Sequence, residues 1–345
     1  MKFHRTLIAA AALGVGVFAL GSAHASAIIY NNSDPALATV ALGVNTDGSL
    51  NRSAGNITSN ASATGLAFRF PDGSWRDATA PGCLCEGWGV SVGATAATGV
   101  AGSANRDDGT FNLTSAASGI STTGITTTSS LTSLPGLSVK QEYRVAAATS
   151  SLFEVRVTIS NNTGAAVDDV RYVRVMDWDV PNTAFSELVT IRGTQTTTLL
   201  EKSHNNGFSR ANPFQDDGEI GSGGCGSTTD RDFTDCGPAD HGAYFRFNFG
   251  SLADAASYSF SIFYGAAGTE RDALAAVGAA GIELYSFGQS NGNGATGSPA
   301  TFIFGFSGVG GTPVEPPTGV SAPGSLALAG LGLLGLGALS RRRKA

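Results

Sequence analysis

The feature that most restricts this chain is an apolar residue at every second position. Phe153, Val155, Val157 and Ile159 alternate with Glu154, Arg156, Thr158 and Ser160. Side chains of an extended backbone point to opposite faces in turn, so this pattern is a strand with one wet face. Asn161-Asn162-Thr163-Gly164 is rich in turn formers, and Val167 to Trp178 is expected to return as a second strand. The alternation recurs in Phe245, Phe247 and Phe249, in Tyr258, Phe260, Ile262 and Tyr264, and in Phe302, Phe304 and Phe306. Such strands, in a chain with 47 glycines and 12 prolines to make turns, predict an all-β fold, an antiparallel β-sandwich. A hydrophobic content of 42% is enough for its core and excludes wholesale disorder. No repeat of about 20–50 residues is visible, which argues against a solenoid or propeller. One short helix is expected as a crossover or lid on the sheet: Thr269 as N-cap with Asp272 three residues on, Glu270 to Val277 as the body, and Gly278 as the end. The Thr/Ser-rich stretch Ser115 to Ser133 is read as exposed edge strands.

The two ends read as addresses. Lys2 and Arg5 precede the mostly apolar stretch Leu7 to Leu20, followed by Ala23-His24-Ala25 and Ala25-Ser26-Ala27, which predicts a cleavable secretory signal over residues 1–25. At the other end, Gly310-Gly311-Thr312-Pro313 opens a Pro-rich spacer, so the body spans residues 26–312 and the tail 313–345. The apolar run Leu326 to Leu339 leads straight into Arg341, Arg342, Arg343 and Lys344, the arrangement of a transmembrane helix with a stop-transfer cluster that stays in the cytoplasm. Five glycines in and before that run lower its helix propensity, which suits a segment that is docked and cut.

Pro316-Pro317, then Val320-Ser321-Ala322-Pro323-Gly324, a Leu/Gly/Ala helix and the terminal basic cluster resemble the PEP-CTERM sorting signal of Gram-negative bacteria. The motif departs from the commonest form, with Ser-Ala-Pro in place of Pro-Glu-Pro, and so resembles a variant class. The resemblance implies that an exosortase, a membrane-embedded cysteine peptidase, cuts near the Pro motif and releases the body to the cell surface or exopolysaccharide matrix. It further implies that the precursor meets the inner membrane only through its C-terminal helix. Cys83 to Gly89, Arg174 to Asp179 and Cys236 to Gly242 are similar to stretches in proteins that carry such tails, and that similarity implies no activity.

Removal of residues 1–25 and of Leu326 to Ala345 takes away six of 21 basic groups and leaves 15 against 27 acidic ones, a net charge of −12. A body that acidic is not expected to bind nucleic acid or anionic lipid through its overall charge. Its four cysteines, Cys83, Cys85, Cys225 and Cys236, are expected to form disulfides after export. Cys225–Cys236 is favoured because it closes a loop with little apolar content, which leaves Cys83 with Cys85; a crossed pairing is the alternative. A zinc site would have to draw on His204 and His241, and the C-x-C spacing is shorter than zinc sites use.

No G-x-S-x-G, H-E-x-x-H or phosphate-binding glycine loop is present, and the chain is not read as an enzyme. Asp177 and Asp179 flank Trp178 and share a strand face, either as a structural pair at a strand end or as the carboxylates of a glycosidase. Asp240-His241 lacks an identifiable nucleophile nearby. Between Asn205 and Gly242, the carboxylates Asp216, Asp217, Asp230, Asp232 and Asp235 form, with Glu219 and Asp240, an acidic loop suited to Ca²⁺ or simply solvated. Trp75 and Trp88 fit either sugar stacking or the core. The expectation is an exported structural protein of the surface or matrix, with a carbohydrate-binding module or glycosidase as the alternative.

Overall fold

The computed structural model describes residues 26–105, 107–292 and 296–315. The strands are Ala27–Tyr30 (β1), Val40–Val44 (β2), Leu66–Arg69 (β3), Trp75–Asp77 (β4), Gly87–Val92 (β5), Val100–Asn105 (β6), Gly109–Phe111 (β7), Leu113–Ser121 (β8), Gly124–Leu131 (β9) and Leu137–Val145 (β10). There follow Leu152–Asn161 (β11), Arg171–Trp178 (β12), Glu187–Arg192 (β13), Leu200–His204 (β14), Phe233–Ala239 (β15), His241–Asn248 (β16) and Ser257–Ala267 (β17), the helix Glu270–Ala279 (α1), then Leu284–Gln289 (β18) and Thr301–Ser307 (β19).

Three antiparallel sheets result: β1-β2-β3-β4, β15-β13-β18-β19-β17-β11-β10-β9-β8, and β14-β16-β12-β5-β6-β7. The nine- and six-stranded sheets face each other through aromatic rings. Phe245 of β16 meets Phe304 and Phe306 of β19 edge-on, and Tyr172 of β12 meets Phe260 of β17 at 5.1 Å between centroids. Phe68 of β3 touches Phe302, which joins the small sheet to the same core. The alternating residues of β11, β17 and β19 thus face inward as their period-two pattern predicts.

β11 and the strand after it do not pair. β11 lies between β10 and β17 in the large sheet, whereas β12 runs between β16 and β5 in the other, so the Asn161–Gly164 turn opens an arch between sheets rather than a hairpin. Val167 bridges Leu252 and Val170 exchanges backbone hydrogen bonds with Phe249 and Gly250, before the continuous pairing of residues 171–178 begins. Asn161 holds the arch by donating to the carbonyls of Ala165 and Leu252.

The helix begins where expected, with the Thr269 side chain accepting from the Asp272 amide, and runs on through Gly278 to Ala279. β17 and β18 are each antiparallel to β19 between them and so parallel to one another, and α1 makes that crossover. Ala273, Ala276 and Val277 cover Phe263, Ile303 and Phe287 on the outer face of the large sheet. Of the Ser115–Ser133 stretch, only β8 is an exposed edge strand, with no residue buried; β9 lies between β8 and β10 and buries Ile125, Thr127, Ser129 and Leu131, so the expectation of exposed edge strands is corrected there. At the end of the described chain, the Val314 amide donates to Ile282 O and the Gly311 amide to Glu283.

An ion pair sits inside the sandwich. Arg174 of β12 donates to Glu86 at 2.5 Å, to Gln141 of β10 and to the Gly48 carbonyl, and neither member of the pair is exposed. Glu86 also accepts from the Leu50 amide and Tyr264. With its polar atoms this fully met, the pair ties both large sheets to the loop before β3.

Residues 1–25 and 316–345 lie outside the described residues. So do the expected signal peptide, the Val320, Ser321, Ala322, Pro323, Gly324 motif, the C-terminal helix, and Arg341, Arg342, Arg343 and Lys344. No helix among the described residues is long and apolar enough to cross a membrane.

Candidate functional site: a buried acidic cluster

On β12, Tyr172, Arg174, Met176 and Trp178 share one phase with the inner core, and Val173, Val175 and Asp177 share the other. That outer face of the six-stranded sheet is covered by the segment after β14, with Ala211 packed on Val173, Val175 and Tyr244. The approach is close enough to exclude side chains: a Cβ on Gly207 would lie 2.5 Å from Asp177 Cα, and one on Gly242 2.0 Å from Met176 O. The glycines therefore bury Asp177 under backbone, although its phase would otherwise face water.

Asp179 follows just past the strand end, its amide donating to Ala78 O. Asp177, Asp179 and Asp240, the last in the turn between β15 and β16, converge so that one carboxylate oxygen from each lies within 4.8 Å of the others. Asp177 and Asp179 are 1% and 0% exposed, and Asp240 is open to solvent. Neither oxygen of Asp179, nor Asp177 Oδ1, has a hydrogen-bond partner. Among the described residues no ion pair involves Asp177, Asp179, Asp240 or the adjacent Glu187.

Burial, and then the charge of Asp240, push the Asp177 carboxyl up to about 7. Burial, followed by the charges of Asp177, Glu187, Asp240 and Asp77, pushes Asp179 to about 9. Glu187 rises to about 8 for the same leading reason, although it accepts from the His241 and Ser186 amides. Asp77 rises only to about 6, because the Thr79 and Gly65 amides stabilise its charged form. The two aspartates thus converge, although Asp179 stands past the end of the strand rather than on its face, and draw in three acids from distant segments.

Cys83 is joined to Cys85 and Cys225 to Cys236, the local pairing. The first bridge sits beside the acids, with Cys83 Sγ 3.4 Å from Asp177 Oδ2. Because the bonded sulfurs are not thiolates, they offer zinc nothing. His204 is stacked on Tyr244 and bound to Asp216, and His241 pairs with Asn205 rather than with Asp240; burial lowers the His241 pKa to about 4.

The five loop carboxylates proposed for Ca²⁺ are not brought together. Asp216 binds His204 and Arg246, Asp217 binds Arg210, and Asp230 binds Lys202 and the Ser203 amide. Asp232 accepts from Thr194, and Asp235 lies beside Thr190. The first four each hold a different piece of the covering segment and Asp235 holds β15 to β13, which uses their lone pairs locally. Of the acidic loop, only Asp240 reaches the cluster.

Trp88 belongs to the core, stacked on Tyr172 with its indole N–H on Asp47 O, and Trp75 is half-buried against Tyr30. The exposed aromatic on this sheet is Phe111 of β7, 58% exposed, on the rim of an open cavity of about 340 Å³. Asn105, Asp108, Arg210, Asn212 and Gln215 share that rim.

No protein-family model matches the chain, and no curated protein is significantly similar to it.

Proposed function

We propose that the protein is an exported structural component of the cell surface or extracellular matrix, released from its C-terminal segment by an exosortase. The observation that carries this reading is the pairing of all four cysteines in disulfides among the described residues, a chemistry that persists in oxidising compartments. The antiparallel body, with a core that runs without a break through all three sheets, suits a passive, rigid role outside the cell. The test is the mass of the mature protein from a host that possesses an exosortase. It is expected to lack residues 1–25 and Leu326 to Ala345; a mature chain that retains Leu326 to Ala345 makes the segment a plain anchor.

A carbohydrate-binding role has one specific support, and it is not Asp177 and Asp179. A glycosidase places its two carboxyl groups about 5–9.5 Å apart across an open cleft. Here both aspartates are unexposed, and Asp177 lies beneath the backbone of Gly207. Phe111 is better placed, since an exposed ring beside amide and charged side chains can stack on a sugar while they bond its hydroxyls. A glycan array on the full chain tests this: binding that is lost in Phe111→Ala supports it, and no binding leaves the structural role alone.

A further inference from the structure

We propose that Asp177, Asp179 and Asp240 form a Ca²⁺ site that fastens the turn between β15 and β16 to the end of β12. Three carboxylate oxygens lie within 4.8 Å of one another, a spacing that one ion bonded to each at about 2.3–2.6 Å spans. An acidic cluster alone would say little, since solvated carboxylates need no metal. The independent observation is Asp179: it is unexposed, both its oxygens lack any hydrogen-bond partner, and one of them is a member of the converging set. A carboxyl group so placed requires a proton or a cation.

The donor set chooses among cations. It is all oxygen, because the neighbouring Cys83 and Cys85 are bonded to each other, and it carries up to three negative charges. Hard, multi-carboxylate sites with room for water suit Ca²⁺, while Mg²⁺ demands near-ideal octahedral geometry and gives up its water reluctantly. Asp240, exposed in its turn, supplies both the entry path and places for water ligands. Gly82, in the left-handed region with φ +72°, keeps the other side open: a Cβ there would sit 2.8 Å from the Phe185 ring and 3.7 Å from Asp179 Oδ2. The inference stands on this geometry and does not depend on the export reading.

The test uses the full chain, purified without reductant, melted in chelator and then with Ca²⁺ or Mg²⁺. A Ca²⁺ concentration a hundredfold above Kd is expected to raise Tm by about 5 °C. Calorimetry is expected to find proton release on binding and an affinity that rises from pH 6 to pH 9. Asp240→Asn, at an exposed position that leaves the fold undisturbed, is expected to weaken Ca²⁺ binding at least tenfold, and Asp179→Asn to abolish it. Asp235→Asn, on the preceding strand β15 but outside the cluster, is expected to change nothing. No Tm shift at millimolar Ca²⁺, an equal response to Mg²⁺, or a shift that survives both Asp179→Asn and Asp240→Asn overturns the proposal.

Discussion

Asp179 shows how far a single side chain is set by what surrounds it. In the unfolded chain its carboxyl titrates near the ordinary 3.8, and in the folded one at about 9. Between those values the folded state holds a proton that the unfolded state has released. Its penalty is therefore absent below the unfolded pKa, grows as pH rises, and is complete above about 9. Each group shifted this way lowers stability by about 1.4 kcal/mol per pH unit within its window. Asp177 and Glu187 add theirs up to about 7 and 8. In chelator, urea unfolding from pH 5 to pH 9 is expected to show stability falling with pH, and Asp179→Asn to flatten that fall and exceed the parent at pH 8. A stability that rises over this range contradicts the assigned protonation. Asp177 and Asp179 were legible in the sequence as a pair because they stand two positions apart at a strand end. Asp77, Glu187 and Asp240 were not, since they come from three other strands or turns and no local pattern links them. Arg174 left a clue that was missed: it stands in phase with Tyr172, Met176 and Trp178, and a charge on the core-facing phase requires a buried partner.

At the scale of elements, whatever depended on neighbouring residues was readable. The Thr269 cap, the strands around Phe153, Tyr258 and Phe302, and the Ser/Thr-rich edge strand β8 all follow from local chemistry. The helix outran its expected stop because the turn that contains Gly278 is held from both sides: Ala276 and Val277 pack on the sheet, and the Ala280 amide still finds the Ala276 carbonyl. Pairing was harder to read. The turn at Asn161–Gly164 has hairpin chemistry, yet β11 takes β17 as its partner across about a hundred residues, and β12 leaves for the other sheet. An alternating strand states which of its faces is apolar and leaves open which strand lies beside it. The acidic segment teaches the same lesson. Its composition suggested a solvated or metal-binding loop, whereas Gly207, Ala211 and His204 lay it against a sheet face that would otherwise expose Val173, Val175 and Tyr244.

The whole molecule is organised from the centre of two sheets outward. β11, β17 and β19 of the large sheet and β12 and β16 of the smaller one have strand neighbours on both sides and fully buried aromatic or aliphatic residues between them. Arg174 and Glu86 add a polar tie at the same depth. The rim is different in kind: β7 is exposed throughout, and β8 buries no residue and slips register between Ser118 and Ser121. Such a strand opens without disturbing the core, since local stability follows buried apolar contact and the protection of backbone hydrogen bonds. Hydrogen exchange on the full chain is therefore expected to be slowest for amides of β11, β12, β16, β17 and β19, and faster by orders of magnitude for β7 and β8. The segment between β14 and β15 is expected to fall between these limits, because it is pinned by Cys225–Cys236 and by Asp217, Asp230 and Asp232, yet contributes mainly Ala211 to any apolar cluster. Protection in β8 equal to that in β17 would mean that its exposed edge is covered by another strand, and the hairpin would then have to be read as an assembly surface.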